Sequence, residues 1–162
     1  MGEAQGYTIR NTLKPRDLGY ITYLHGVVYA EEHGFDTTFE PYVAKPLSEF
    51  ALSQSNPRQR IWVVEHKGRV VGSVAIMEAD HHTAQLRWLV ISKEARGLGL
   101  GKKLVEDAIY FSVEAGYSRV FLWTVSELKA AAHVYASSGF VKTESTTHRI
   151  WGRALTEEKY EL

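Results

Sequence analysis

A chain of 162 residues is the length of one domain, with enough interior for a sizeable core, and 44% hydrophobic with 23% charged residues excludes disorder as its general state. Nineteen basic residues balance nineteen acidic ones, so no overall positive field exists to hold a nucleic acid by counterion release. The absence of cysteine removes disulfides, thiolate metal sites and any thioester formed on the protein itself.

The opening Met1-Gly2-Glu3-Ala4-Gln5-Gly6 has neither the basic start nor the apolar stretch of a secretory signal. No run of about 18 apolar residues follows, so a cytoplasmic protein without a membrane partner is expected. Tyr7-Thr8-Ile9-Arg10 alternates as a short strand. Pro15 suits the first turn of a helix that the spacing predicts from Arg16 to about His33. Leu18, Ile21, Leu24 and Val28 form its apolar stripe, His25, Tyr29 and Glu32 a second face, and Gly34 the stop. A second helix is expected from about Thr38 to Ser53, with Phe39, Val43, Leu47 and Phe50 on one side and a break or kink at Pro46.

Arg60 to Glu65 and Val70 to Met77 are β-branched runs joined by His66-Lys67-Gly68-Arg69, which predicts an antiparallel hairpin. Asp80-His81-His82 reads as a turn, because the seven histidines lack metal-ligand spacing. In the next strand, Ala84 to Ile91, Leu86, Trp88 and Val90 alternate with Gln85 and Arg87. The glycine-rich Arg96-Gly97-Leu98-Gly99-Leu100-Gly101 then opens a helix with Leu104, Ala108 and Phe111 on one side and Gly116 at its end. Strand 119–125 follows. A strand, a crossover helix and a strand of this length run parallel and right-handed, so 84–91 and 119–125 are expected as parallel neighbours. A helix from about Glu127 to Ser137 and strands near 140–144 and 147–153 complete one domain over 1–162.

Between a strand and a helix, the unpaired amides of the Arg96 to Gly101 turn and the positive end of the helix dipole converge on one point. That point suits an anion, most naturally a pyrophosphate, and Lys102 and Lys103 add charge. The dinucleotide fingerprint fails because Lys102 fills its third glycine slot, and the P-loop fails because Arg96 stands at its first glycine and Lys103 at its Ser/Thr position. What remains, R-x-x-G-x-G, resembles the acetyl-coenzyme A motif of the GCN5-related N-acetyltransferase (GNAT) superfamily. Ala131-Ala132-His133-Val134-Tyr135-Ala136-Ser137-Ser138-Gly139-Phe140 resembles the A-x-x-x-Y-x-x-x-G-F segment that follows it in those proteins. His25 to Phe35 with Phe39-Glu40 is similar to the acetyltransferase part of fused MarR-type regulator/acetyltransferase proteins. The likeness spans most of the chain. It implies an α/β (α+β) three-layer domain, with a mixed, mostly antiparallel sheet of about seven strands, a splayed parallel central pair, and about four flanking helices.

The resemblance also implies roles. Backbone groups of Leu89, Val90 and Ile91 meet the pantetheine arm and the thioester oxygen, and Arg96, Gly97, Leu98, Gly99, Leu100, Gly101 and Lys102 cradle the diphosphate. Ala131 and Tyr135 lie along the arm, with Tyr135 as general acid for the departing thiolate. Ser126 either replaces the Asn that relatives often carry after the second parallel strand or caps the next helix. Ala84 and Gln85 stand where many relatives place a catalytic Glu, so the base falls to Glu32, Glu78, His82 or Glu40 acting through water, or the amine arrives neutral. Glu31, Glu32, Asp36 and Glu40, with no Lys or Arg between residues 30 and 40, form either an acceptor site for a protonated amine or a solvated face; as an acceptor site, His25, Tyr29 and Glu32 line its wall. The expectation is a metal-free, acetyl-CoA-dependent N-acetyltransferase acting directly, in a ternary complex, on a primary amine of a small molecule or exposed amino group. The competing expectation is a non-catalytic acyl-CoA-binding or sensing module. The aromatic-rich end around Trp151 and Tyr160 is a candidate surface for a homodimer.

Overall fold

The computed structural model describes residues 6–162; residues 1–5, where no signal segment is expected, lie outside the described residues. Seven strands form one sheet: β1 (Tyr7–Arg10), β2 (Arg60–His66), β3 (Arg69–Glu78), β4 (Thr83–Ile91), β5 (Arg119–Val125), β6 (Val141–Ile150) and β7 (Arg153–Glu161). Their order is β1-β2-β3-β4-β5-β7-β6, and within it only β4 and β5 run parallel. The helices are α1 (Asp17–His33), α2 (Phe39–Leu52), α3 (Leu100–Glu114) and α4 (Lys129–Ser137). None of them is long and apolar enough to cross a membrane.

Period-two alternation in the central strands splits the core into two layers. Ile61, Val63 and Ala75 pack with Ile21 of α1 and with Phe39, Val43, Leu47 and Phe50 of α2. Trp62, Val64, Val74 and Ile76 turn to the other face, against Leu100, Leu104, Val105, Ala108 and Phe111 of α3 and Tyr135 of α4. Pro46 does not break α2, which runs through it; the carbonyl it leaves without a donor belongs to Tyr42, on the solvent side of the helix.

Two hairpins show what the local sequence decides. Lys67 and Gly68, at φ 51° and 75°, join His66 to Arg69 in the two-residue turn with both φ positive that matches strand twist. The last pair of strands departs from the expected 140–144 and 147–153. Both strands are longer, and the turn lies at Trp151-Gly152, φ 53° and 88°, between Ile150 and Arg153. A tryptophan rarely takes that conformation. Here its ring is held by Phe35, Phe39 and Tyr42 at centroid distances of 5.1, 4.9 and 5.0 Å, and its carbonyl accepts the Asp36 N–H at 3.0 Å. Trp151 and Tyr160 are therefore interior residues, each 8% exposed, and their rings pack within the chain.

Strand β4 also departs from simple alternation. Ala75 of β3 lies opposite Arg87 and Ser73 opposite Val90, so β4 carries one residue more than its partner. This bulge turns Arg87 and Trp88 consecutively toward the α1–α2 layer, with Trp88 at φ 55°. Leu86 before it and Leu89 after it pack in the α3–α4 layer. A left-handed tryptophan costs about 1–3 kcal/mol. The fully buried Ser73 offsets part of that cost by donating from Oγ to the Trp88 carbonyl at 2.7 Å, and so fixes where the strand resumes at Leu89.

Candidate active site

The parallel pairing of β4 with β5 is brief: Thr83, Ala84 and Gln85 face Arg119, Val120 and Phe121, and no rung follows. Among the described residues β4 has no partner on that side from Leu86 to Ile91, while β5 continues against β7 as far as Val125. The two strands thus splay, and their open ends point toward the glycine-rich turn.

At that turn Gly97 and Gly99 both adopt φ 77°, which favours glycine by conformation, while a Cβ at either would meet nothing within 4 Å, so the surface in front of the turn is open. Among the described residues, none of the backbone N–H groups from Gly97 to Lys102 donates within the protein; the first engaged amide is that of Lys103, to the Gly99 carbonyl at 3.0 Å. Six free donors at a helix start form an anion seat. A groove of about 500 Å³ runs from it, lined by Leu89, Val90, Ile91, Arg96, Gly97, Gly99, Leu100, Gly101, Lys102 and Ala131. Leu98 packs its side chain into the α3–α4 layer and does not line the groove; its N–H is one of the six free donors. Ser126 neither lines the groove nor caps α4, whose cap position is Leu128 without a side-chain bond.

Glu32 lies on this groove. Arg96 donates to both its oxygens at 2.7 and 2.8 Å and to the Ile91 carbonyl at 3.2 Å, tying α1 to the turn. The Arg96 hydrogen bonds hold the Glu32 carboxyl below the usual carboxylate range, which makes it a weak proton acceptor. The other base candidates are elsewhere as well. Glu78 pairs with Arg58, His82 is exposed in its turn, and Glu40 lies over α1 where a Cβ on Gly26 would meet its Oε1 at 2.6 Å. None of the three lines either cavity.

A second cavity of about 100 Å³ lies beside the groove and shares Tyr29, Leu89 and Leu128 with it. Phe35, Phe39, Tyr42 and Trp151 wall one side; Gln85, Arg87 and Trp88 come from β4, Trp123 and Thr124 from β5, Glu157 from β7. Sequence spacing missed Arg87, Trp88, Thr124 and Glu157, because the bulge and the insertion of β7 beside β5 bring them together. Tyr135 also lines this cavity. It is 5% exposed, and burial, with smaller effects from Tyr29 and Tyr160, raises its phenol far above the ordinary value. Burial likewise pushes Tyr29 up to about 12. Both phenols stay protonated at neutral pH.

His25 lines the same cavity, 3% exposed, with its ring stacked 6.0 Å from Tyr29. Burial lowers its pKa to about 4, against a smaller opposing effect of the Ile21 carbonyl, 2.8 Å from Nδ1. A neutral ring placed this way donates from Nδ1 and leaves Nε2 free as an acceptor. The unfolded chain binds a proton near the ordinary value of 6.5 and the folded chain only near 4, so stability is complete above 6.5 and falls as pH drops toward 4. Urea unfolding at pH 7 and 4.5 should show this group contributing about 2–3 kcal/mol of acid sensitivity, read as the part of the decline that His25→Phe removes. An equal decline in the variant contradicts a buried neutral His25.

Residues 18–140 match the Acetyltransferase (GNAT) family. Human N-acetyltransferase 8B is 36% identical over 99 residues, 58% of this chain and 44% of that protein, so the chain spans less than half the length of that relative. An uncharacterised N-acetyltransferase of Schizosaccharomyces pombe is 32% identical over 126 residues, 74% of each chain. Among solved structures, yncA of Salmonella typhimurium, determined with its cofactor acetyl-CoA, superposes with a TM-score of 0.78 at 19% identity, covering 98% of this chain and 94% of that one. This is a likeness of fold.

Proposed function

Since the chain belongs to the acetyltransferase (GNAT) family, we propose that it transfers the acetyl group of acetyl-CoA directly to a primary amine of a small molecule, in a ternary complex. The observation that carries this reading is the continuity of the two cavities. A seat of six free amides leads along the splayed edge of β4 to Leu89, where the groove meets a cavity about one-fifth its volume.

The amides of Gly97 to Lys102 fit the coenzyme's diphosphate, and the backbone groups of Leu89 to Ile91 on the side away from β3 fit its amide-bearing arm. The coenzyme supplies an activated acetyl group, whose transfer forms a C–N bond and releases a thiol. The rest of the chemistry belongs to this chain. Backbone N–H groups of the Leu89 to Ile91 stretch stabilise charge developing on the carbonyl oxygen. Glu157, a carboxylate lining the smaller cavity and hydrogen-bonded to His148, takes the proton that makes the amine nucleophilic. Tyr135 hydrogen-bonds the departing sulfur and hands it a proton. The phenol holds that proton at neutral pH, and the proton that the nitrogen sheds after the C–N bond forms restores it once the C–S bond has broken.

Thiol release from acetyl-CoA is the test, measured across a panel of small primary amines. Release that depends on the amine supports the transferase. Acetyl-CoA that raises the melting temperature without thiol release for any amine overturns it in favour of the binding module, the reading that Gln85 in place of a strand carboxylate would suit.

A further inference from the structure

The smaller cavity contains a cation and a buried donor for which the protein supplies no acceptor. Arg87 lines it, half-buried, its guanidinium carbon 5.1 Å from the Trp88 ring centroid and 5.6 Å from that of Tyr42. Among the described residues no carboxylate lies within salt-bridge distance of Arg87, Arg16, Arg60, Arg119 or Arg149, whereas Arg10, Arg58, Arg69, Arg96 and Arg153 have one; of the five without one, Arg87 is the one that lines this cavity. Trp88 and Thr124, 7% and 8% exposed, line the same cavity, and the indole Nε1 and the hydroxyl Oγ1 have no hydrogen-bond partner. The indole N–H is only a donor and the guanidinium brings several more. A buried donor without an acceptor costs about 1–3 kcal/mol, which a ligand oxygen would recover. The cavity's own carboxylate, Glu157, is engaged by His148.

The geometry points to an acceptor that carries a carboxylate as well as its amine, on an apolar or aromatic body: an α-amino acid or a close derivative. Arg87 reads the carboxylate, and Phe35, Phe39 and Trp151 receive the body. The β4 bulge makes this arrangement, because it turns Arg87 and Trp88 to the same face two and one residues before Leu89, where cavity and groove meet. Stacking on Trp88 and Tyr42 holds the guanidinium plane in place, which suits two-point recognition of a carboxylate.

This inference rests on the transferase reading, and the experiment separates the two. Thiol release is measured with L-phenylalanine against phenethylamine and with L-leucine against isoamylamine, on the wild-type chain and on Arg87→Gln and Arg87→Lys. The expected result is a higher kcat/KM for the carboxylated member of each pair. Arg87→Gln lowers that preference roughly 10- to 100-fold, and Arg87→Lys restores part of it. Equal use of both members by the wild type, or a fall in Arg87→Gln that leaves the ratio unchanged as a purely structural role would, overturns carboxylate recognition and leaves the transferase standing. No thiol release with any amine overturns both.

Discussion

Tyr135→Phe is expected to lower turnover roughly 100- to 10,000-fold, the range for loss of a positioned proton donor, with acetyl-CoA affinity and melting temperature nearly unchanged. The two halves of that expectation have separate grounds. Tyr135 packs edge-on against Phe140 and tilted against Tyr160, both at a centroid distance of 5.9 Å, and phenylalanine keeps those contacts. Burial and charge, and no hydrogen bond, account for its raised pKa, so removing the hydroxyl breaks no bond within the protein. The residue lines the cavity, and removal of a hydroxyl without a partner in the protein should leave the melting temperature nearly level. Steady-state kinetics gives the first half and thermal unfolding with titrated acetyl-CoA the second. Turnover within threefold of wild type would take Tyr135 out of the chemistry.

What the sequence made legible was local or carried by resemblance. The amide seat follows from glycines two residues apart at a strand-to-helix junction, and Lys67-Gly68 signals its own turn. The layered fold follows from period-two and period-four patterns that each element satisfies alone. The features that escaped depend on partners far along the chain. Glu32 reads as an acceptor-site carboxylate until Arg96, 64 residues on, engages it. The β4 bulge is set by a mismatch with β3, and the residue that secures it, Ser73, gives no signal in its own segment. Trp151-Gly152 has the wrong first residue for its turn, and only the aromatic cluster around Trp151 makes that conformation tolerable. Glu157 reaches the cavity because β7 inserts between β5 and β6, an order that no spacing within 141–161 declares. Loss of that ordering information, more than weak helix or strand signals, separates the expected acceptor wall, with Glu32 and Glu40, from the proposed one, with Arg87, Thr124 and Glu157.

Gly99→Asp should raise the dissociation constant for acetyl-CoA about 100-fold or more while the protein folds normally. Gly99 is the cap residue of α3, at φ 77° and ψ 9° with no side-chain cap bond, and a Cβ there has open space on every side. The left-handed region is disfavoured for a residue with a side chain by about 1 kcal/mol, and aspartate and asparagine tolerate it better than most. An aspartate at a helix start also gains from the dipole and from free amides within its reach, so the strain is largely offset. That gain is the difficulty for the ligand. The new carboxylate occupies the donors that would meet a diphosphate and sets like charge against it, and two charge-assisted hydrogen bonds lost at about 1.5–3 kcal/mol each already exceed a hundredfold in affinity. Gly99→Asn has the same shape without the charge and should weaken binding far less. Calorimetric titration of acetyl-CoA into the wild type and both variants reads the effect directly. If Gly99→Asp binds as tightly as the wild type, the diphosphate is not held at this turn, and the path from the amide seat to Leu89 no longer explains how the acetyl group reaches the amine.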